Sequence, residues 1–253
     1  MKLENKVVLV TGASGGMGRA IALESAKEGA RVIIHYHKNQ KDAEETLQQV
    51  RAYSPPTMLQ PDFIQADLSN MQGIESLADK AYAQFGRLDV LVNNAGVYLR
   101  DPFFETLETS WDKVLDTNLK APFFLCQKIG EKMIQQKYGR IINIASIAAN
   151  SVMKNTGIMY GVSKAGLLYL TKCLALTLAP HVNVNAISPG RTMTEMFTGS
   201  KDPAKLKEYL EKIPLHRVNM PEDIAKLAVF LSSEDSRNIT GQEFIIDCGE
   251  LLT

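Results

Sequence analysis

Tyr160 and Lys164 stand four residues apart in an apolar, helix-forming stretch, so a helix would turn both side chains into one cleft. A phenol can donate a proton, but an ordinary pKa of ~10 makes it a poor base near neutrality. A close ammonium favours the phenolate, and one or two charges in a partly dry site supply the roughly 3–4 kcal/mol this needs. Tyrosine and lysine at this spacing also occur on inert helices. A second pattern upstream gives the pair its weight: Thr11-Gly12-Ala13-Ser14-Gly15-Gly16-Met17-Gly18, directly after the apolar run Val7–Val10. Gly12 can take the positive φ of a tight turn, Gly16 leaves room for a phosphate, and Gly18 permits close helix–sheet contact. The helix that follows offers free amides to the same anion, which brings Ser14, Gly15 and Met17 into the cradle. One pattern holds a dinucleotide and the other moves a proton. Together they point to hydride exchange at a carbonyl or alcohol carbon.

Such residues need a frame. Short Val/Ile-rich runs at 6–10, 31–36, 62–65, 90–93, 140–144, 182–187 and 243–246 lack polar alternation, as strands covered on both faces do. Helical patterns at 18–27, 43–51, 73–85, 111–136 and 159–178 alternate with them. This predicts an α/β fold: a single-domain, Rossmann-type doubly wound parallel sheet of about seven strands over residues 1–253, with helices on both faces. The stretch 191–217 breaks the rhythm, as a substrate lid or as an ordinary packed insertion. Within it, Asp202-Pro203 reads as a helix start, with Leu206, Tyr209, Leu210 and Ile213 as an apolar stripe. Pro221 starts a further helix.

The 28 basic and 28 acidic residues cancel, so no long-range field favours nucleic acid or a membrane surface. Three scattered cysteines, Cys126, Cys173 and Cys248, fit reduced thiols in a cytoplasmic protein. None has a Cys or His at metal-ligand spacing, so no metal site is expected. The polar start 1–6 carries no leader-like segment, and no run is long enough to span a bilayer.

Coenzyme choice turns on His35-Tyr36-His37-Lys38, at the end of the second strand. NAD-binding folds commonly put a carboxylate there for the ribose hydroxyls. Here Tyr36 falls at that point, and His37 and Lys38 supply cations for a 2′-phosphate, which favours NADP over NAD. Gly15 leaves out a second cation.

In order along the chain, these motifs resemble the short-chain dehydrogenase/reductase family: TGASGGMG at 11–18, Asp67-Leu68, NNAG at 93–96, Asn118, Ser146, YGVSK at 160–164, SPG at 188–190, and ITGQEFIIDCG at 239–249. The resemblance covers essentially the whole chain. It implies that Asp67 and the Leu68 backbone meet the adenine, and that Asn94, Ala95 and Gly96 line the adenosine ribose and groove floor. Pro189, Gly190, Thr192 and Thr194 would hold the nicotinamide carboxamide. It further implies that Tyr160 donates the proton, that Lys164 also binds the nicotinamide ribose, that Ser146 hydrogen-bonds the substrate oxygen, and that Asn118 keeps a relay water. Singly, Asp67 also fits a helix cap and Thr194 a loop hydroxyl. Two departures stand out: the 14 positions from Ser146 to Tyr160 are one more than the usual family interval, and Cys248 replaces a common glycine.

The chain looks most like the 3-oxoacyl-(acyl-carrier-protein) reductase branch, which implies a homotetramer or homodimer. Val152, Met153, Ile158, Met159, Met193, Met196 and Phe197 suit an apolar pocket for an acyl chain, steroid or aromatic ketone, or else core and subunit contacts. A sugar or polyol dehydrogenase is the alternative within the family. A redox sensor that binds dinucleotide without turnover is the alternative outside it.

Overall fold

The computed structural model describes residues 1–54, 61–152, 157–194 and 203–253. Strands β1 (Val7–Val10), β2 (Arg31–Tyr36), β3 (Asp62–Gln65), β4 (Val90–Asn93), β5 (Gly139–Ile144), β6 (Val182–Pro189) and β7 (Glu243–Ile246) form one parallel sheet in the order 3-2-1-4-5-6-7. All seven lie where the sequence predicts, with ends moved by one or two residues. Their continuous apolar character follows from two-sided burial. Val8, Val10, Val32 and Ile34 face one core with Ile21 and Ile224, whereas Val7, Leu9 and Ile33 face the other with Leu77 and Leu125.

The helices are α1 (Gly16–Lys27), α2 (Gln40–Arg51), α3 (Met71–Phe85), α4 (Glu108–Leu115), α5 (Ala121–Gln135), α6 (Ile158–Thr177), α7 (Pro203–Lys212) and α8 (Pro221–Ser232). Local chemistry sets several ends. Asn70 caps α3 by accepting from the Gly73 amide at 2.9 Å, and Gly86 stops that helix at φ 68°. Asp223 accepts from the Met220 amide at 2.8 Å to start α8, just after Pro221.

The helix predicted over 111–136 is interrupted. A π-helical turn, Asp116–Lys120, separates α4 from α5, and the Ala121 amide reaches back five residues to the Asp116 carbonyl. The cause is Pro122, which has no amide hydrogen for the Asn118 carbonyl four residues earlier, so the ladder widens there.

Because β1 has β2 on one side and β4 on the other, the chain departs in opposite directions at this point, and a crevice opens beyond the ends of β1 and β4. The glycine turn, Asp67-Leu68 and Asn94–Gly96 line it. In the 191–217 stretch, α7 is present, Ile213 is buried, and the Arg191 guanidinium lies 3.9 Å from the Tyr209 ring centroid. Met153, Met196, Phe197, Asp202 and the Leu206 side chain lie outside the described residues. Among the described residues, no helix is long and apolar enough to cross a membrane.

Candidate active site

The glycine turn opens a cleft of about 820 Å3 whose walls include Gly12, Ser14, Gly15, Gly16, Met17 and Gly18. Gly12 has φ 64°, and a Cβ there would stand 2.9 Å from the Ala95 Cα. A Cβ on Gly18 would come within 2.5 Å of Asn94 Nδ2 and run into the Gly12 carbonyl. Gly16 faces Thr194, whose methyl would sit 3.4 Å from an added Cβ. No side chain caps α1 and no acid occupies its first turn, so its free amides and positive end face the cleft. These features fit a pyrophosphate: a cradle that side chains would fill, ending on an uncapped helix.

The turn is held from behind. Arg19 donates to the Ser14 carbonyl at 2.6 Å and to Thr46 Oγ1 at 2.8 Å, tying it to α2. His35 accepts from the Gly12 amide at Nδ1 (3.1 Å), and its Nε2 meets the Ala66 carbonyl at 3.1 Å, which fixes a neutral tautomer. Burial lowers the His35 pKa to about 4.

Tyr36, expected at the ribose, is a correction. It is only 3% exposed, its ring packs edge-on against Phe63 at 5.4 Å, and the cleft is lined instead by His37, Lys38 and Asn39, with Asp42 further along. Strand alternation turns Tyr36 into the core while the exposed residues after it reach the cleft. Asp67 and Leu68 line the opposite wall. Asp67 accepts from the Ser69 amide (2.9 Å) and hydroxyl (2.8 Å), bonds that hold its carboxyl below the usual range, with His37 Nε2 at 3.7 Å.

Asn94, Ala95 and Gly96 form the floor. Thr11 Oγ1 accepts from the amides of Asn94 (2.9 Å) and Ala95 (3.0 Å), and Asn94 Nδ2 donates to the carbonyls of Thr11 and Gly12. The Asn94 amide therefore staples two turns together. Gly96 is the link to the reacting end: a Cβ there would stand 3.3 Å from Asn118 Oδ1 and 3.7 Å from Lys164 Nζ.

Tyr160 and Lys164 share one face of α6, with Lys164 Nζ 5.7 Å from the Tyr160 ring centroid. Lys164 is buried, donates to the Ile144 carbonyl at 2.6 Å, and is lowered by burial to about 8. Burial raises the Tyr160 phenol, a hydrogen bond with Ser146 pulls it down, and Tyr98 adds to the rise. The lowering expected from the lysine is not met by the protein alone: desolvation is the largest cause, and Lys164, engaged with a carbonyl, is not among the causes. Ser146 follows β5, and its Oγ accepts from the Ala148 amide at 3.2 Å. Asn118 is wholly buried, with Oδ1 on the Val97 amide (2.8 Å) and Nδ2 on the Val97 carbonyl (3.0 Å) and Ser163 Oγ (3.1 Å). Its side chain is a clamp, so any bond to a water falls to its backbone carbonyl.

Pro189 ends β6, and Gly190 packs where a Cβ would lie 2.7 Å from the Asp247 Cβ. Thr194 reaches the cleft, whereas Thr192 is buried with its hydroxyl donated to the Gly190 carbonyl at 3.1 Å. The Thr192 backbone forms an isolated bridge with Asn219, so any contact of Thr192 with a carboxamide falls to its backbone. Met159 is buried at 3%, in the core and not on a pocket wall. Cys248 has φ 56°, a region that favours glycine. His35, Thr11, Arg19, Tyr98 and Ser163 were missed, since their roles come from backbone contacts between distant segments.

A family model described as enoyl-(acyl carrier protein) reductase matches residues 12–250. The chain is 38% identical over 247 residues to 3-oxoacyl-(acyl-carrier-protein) reductase FabG of Staphylococcus epidermidis, covering 97% of this chain and 98% of that one. The chain belongs to the short-chain dehydrogenase/reductase family. It is an oxidoreductase of that NAD(P)-binding family. Another relative is the 2-dehydro-3-deoxy-D-gluconate 5-dehydrogenase of Dickeya dadantii, 35% identical over 98% of this chain and 96% of that one. Among solved short-chain dehydrogenase/reductase structures, the Pseudomonas aeruginosa RhlG/NADP active-site complex superposes with a TM-score of 0.90 at 33% identity, over 98% of this chain and 97% of that one.

Proposed function

We propose that this protein reduces the ketone of a 3-oxoacyl thioester, carried on an acyl-carrier protein or a similar pantetheine group, with NADPH as coenzyme. The observation that carries this reading is the meeting of Tyr160, Lys164 and Ser146 beside Gly96, at the end of the dinucleotide-shaped cleft. A bound nicotinamide coenzyme supplies the hydride. Tyr160 gives its proton to the oxygen that gains negative charge, and Ser146 donates a hydrogen bond to the same oxygen. Lys164 offers its ammonium to the coenzyme ribose and to the phenol. The Asn118 carbonyl, left without an α-helical donor by Pro122, holds the water that returns protons to Lys164.

Exposed His37 and Lys38 favour a 2′-phosphate, and with it NADP. The adenine reading rests on Asp67 and Leu68, and the carboxamide reading on Pro189, Gly190 and Thr194. Val152, Ile158 and Met193 are exposed apolar side chains close in sequence to Tyr160 or Thr194, suited to an acyl chain, and α7 acts as a lid. The similarity to a gluconate-type dehydrogenase supports a sugar or polyol as the second substrate reading. Unpaired thiols favour the cytoplasm, and exposed Val162, Tyr169 and Leu176, spaced by seven on α6, with Phe123 on α5, favour assembly into a homotetramer or homodimer. Light scattering reads that mass directly.

The test is Tyr160→Phe in an assay of acetoacetyl thioesters, sugars and steroids with both coenzymes. Turnover should fall at least about 10²-fold with NADPH affinity nearly unchanged. A fully active variant would remove the proton donor, and preference for a sugar over every thioester would move the substrate reading to its second form.

A further inference from the structure

Tyr98 has no part in the chemistry above, yet its ring stands over that of Tyr160, with centroids 5.1 Å apart and planes at 84°. Two independent features fix it there. On one side, Asn118 clamps both the amide and the carbonyl of Val97, the residue immediately before Tyr98. The same Asn118 amide donates to Ser163 Oγ, and Ser163 donates to the Tyr160 carbonyl at 2.7 Å. One buried side chain thus ties down the backbone under both tyrosines. On the other side lies Gly157, at the start of α6. A Cβ there would run into the Leu99 carbonyl and stand 3.6 Å from Tyr98 Cε2, so the loop reaches α6 only because that residue is glycine.

We propose that Tyr98 is a positioning residue: its ring fixes the orientation of the Tyr160 phenol and covers one face of it, which holds the phenol in its proton-donating form. This rests on the reading of Tyr160 as the acid. An edge-to-face aromatic contact restricts ring rotation and offers no hydrogen bond to a phenolate oxygen, so it favours the neutral phenol. The other groups facing the phenol are Ser146 from the end of β5 and Lys164 from α6 itself. Burial is the largest cause that raises the phenol and Ser146 draws it toward ionisation, so a ring packed over one face acts in the direction the inference requires.

The test needs no substrate. Tyrosinate absorbance is titrated in wild type and in Tyr160→Phe, and the difference isolates Tyr160. The same subtraction is made in a Tyr98→Leu background and, should that variant not fold, in a Gly157→Ala background, which pushes the loop off α6. The midpoint of Tyr160 should fall by about half a pH unit or more, roughly a threefold change in its ionisation constant. Tyr98→Phe, which keeps the ring, should move it less than half as far. A midpoint that stays put or rises in the displaced backgrounds overturns the proposal. If Tyr160→Phe keeps full turnover, the functional reading itself fails. If that variant is inactive while the midpoint is unmoved, only the role of Tyr98 fails.

Discussion

Acid should loosen this protein through His35 before it disturbs the reacting residues. The ring is 2% exposed, links the Gly12 amide to the Ala66 carbonyl, and has its pKa lowered from 6.5 to about 4, first by burial. Above pH ~6.5 folded and unfolded chains both carry it neutral, and its contribution is fully present. As pH falls toward 4, the unfolded chain takes up the proton first, so stability is lost across that window; below it both states are charged and the loss stops. The fall from 6.5 to about 4 corresponds to about 3 kcal/mol, a large part of a marginal stability. His37 lowers the His35 pKa slightly and Asp67 raises it, whereas the Asp67 carboxyl, itself held below 3.8, loses its own contribution at lower pH. Urea unfolding of wild type and His35→Asn, measured at steps from pH 7 to 4, separates these groups. The variant starts less stable, having lost the Gly12 acceptor, and the gap should narrow by about 3 kcal/mol as pH falls. Parallel curves over the whole range would refute the assignment of a neutral, buried His35.

Gly18→Ala puts a methyl against Asn94 Nδ2 and the Gly12 carbonyl, and should cost about 1–3 kcal/mol of stability. Thermal melts with and without NADPH should also show the coenzyme's stabilisation gone, and a variant stabilised as strongly as wild type would mean the close contact is dispensable. Lys38→Asp reverses an exposed charge at the cleft wall and should cut NADPH affinity roughly tenfold relative to NADH. An unchanged ratio in fluorescence titrations would move the 2′-phosphate contact to another residue.

The sheet was legible because each strand is an apolar run whose two faces feed two cores, a pattern independent of distant contacts. The glycine turn, the NNAG floor and the Tyr160–Lys164 face were legible for a related reason: each motif acts through residues adjacent in sequence or one helical turn apart. Tyr36 was misjudged because the exit from β2 is decided by which side of the strand meets the core. The burial of the Thr192 side chain was not legible, because its bridge partner, Asn219, lies far along the chain. His35 and Tyr98 were invisible as functional residues, since a histidine bridging two backbones and a ring over another ring exist only after folding. The single helix drawn through 111–136 failed at Pro122, where one missing amide hydrogen changes the bonding pattern while the apolar periodicity continues.

That missing hydrogen has a geometric effect beyond its own turn. Each residue of an α-helix advances the side chain by about 100°, so a one-residue widening at Asp116–Lys120 swings α5 out of phase with α4. Trp111 and Phe123 are consequently displayed along different lines of the rod than uninterrupted winding would give, and a heptad diagram drawn straight through both misaligns the outer seam. Pro122→Ala, by letting the winding close, would re-phase that exterior and at the same time turn Asp116 and Thr117, which line the cleft, and give the Asn118 carbonyl a donor.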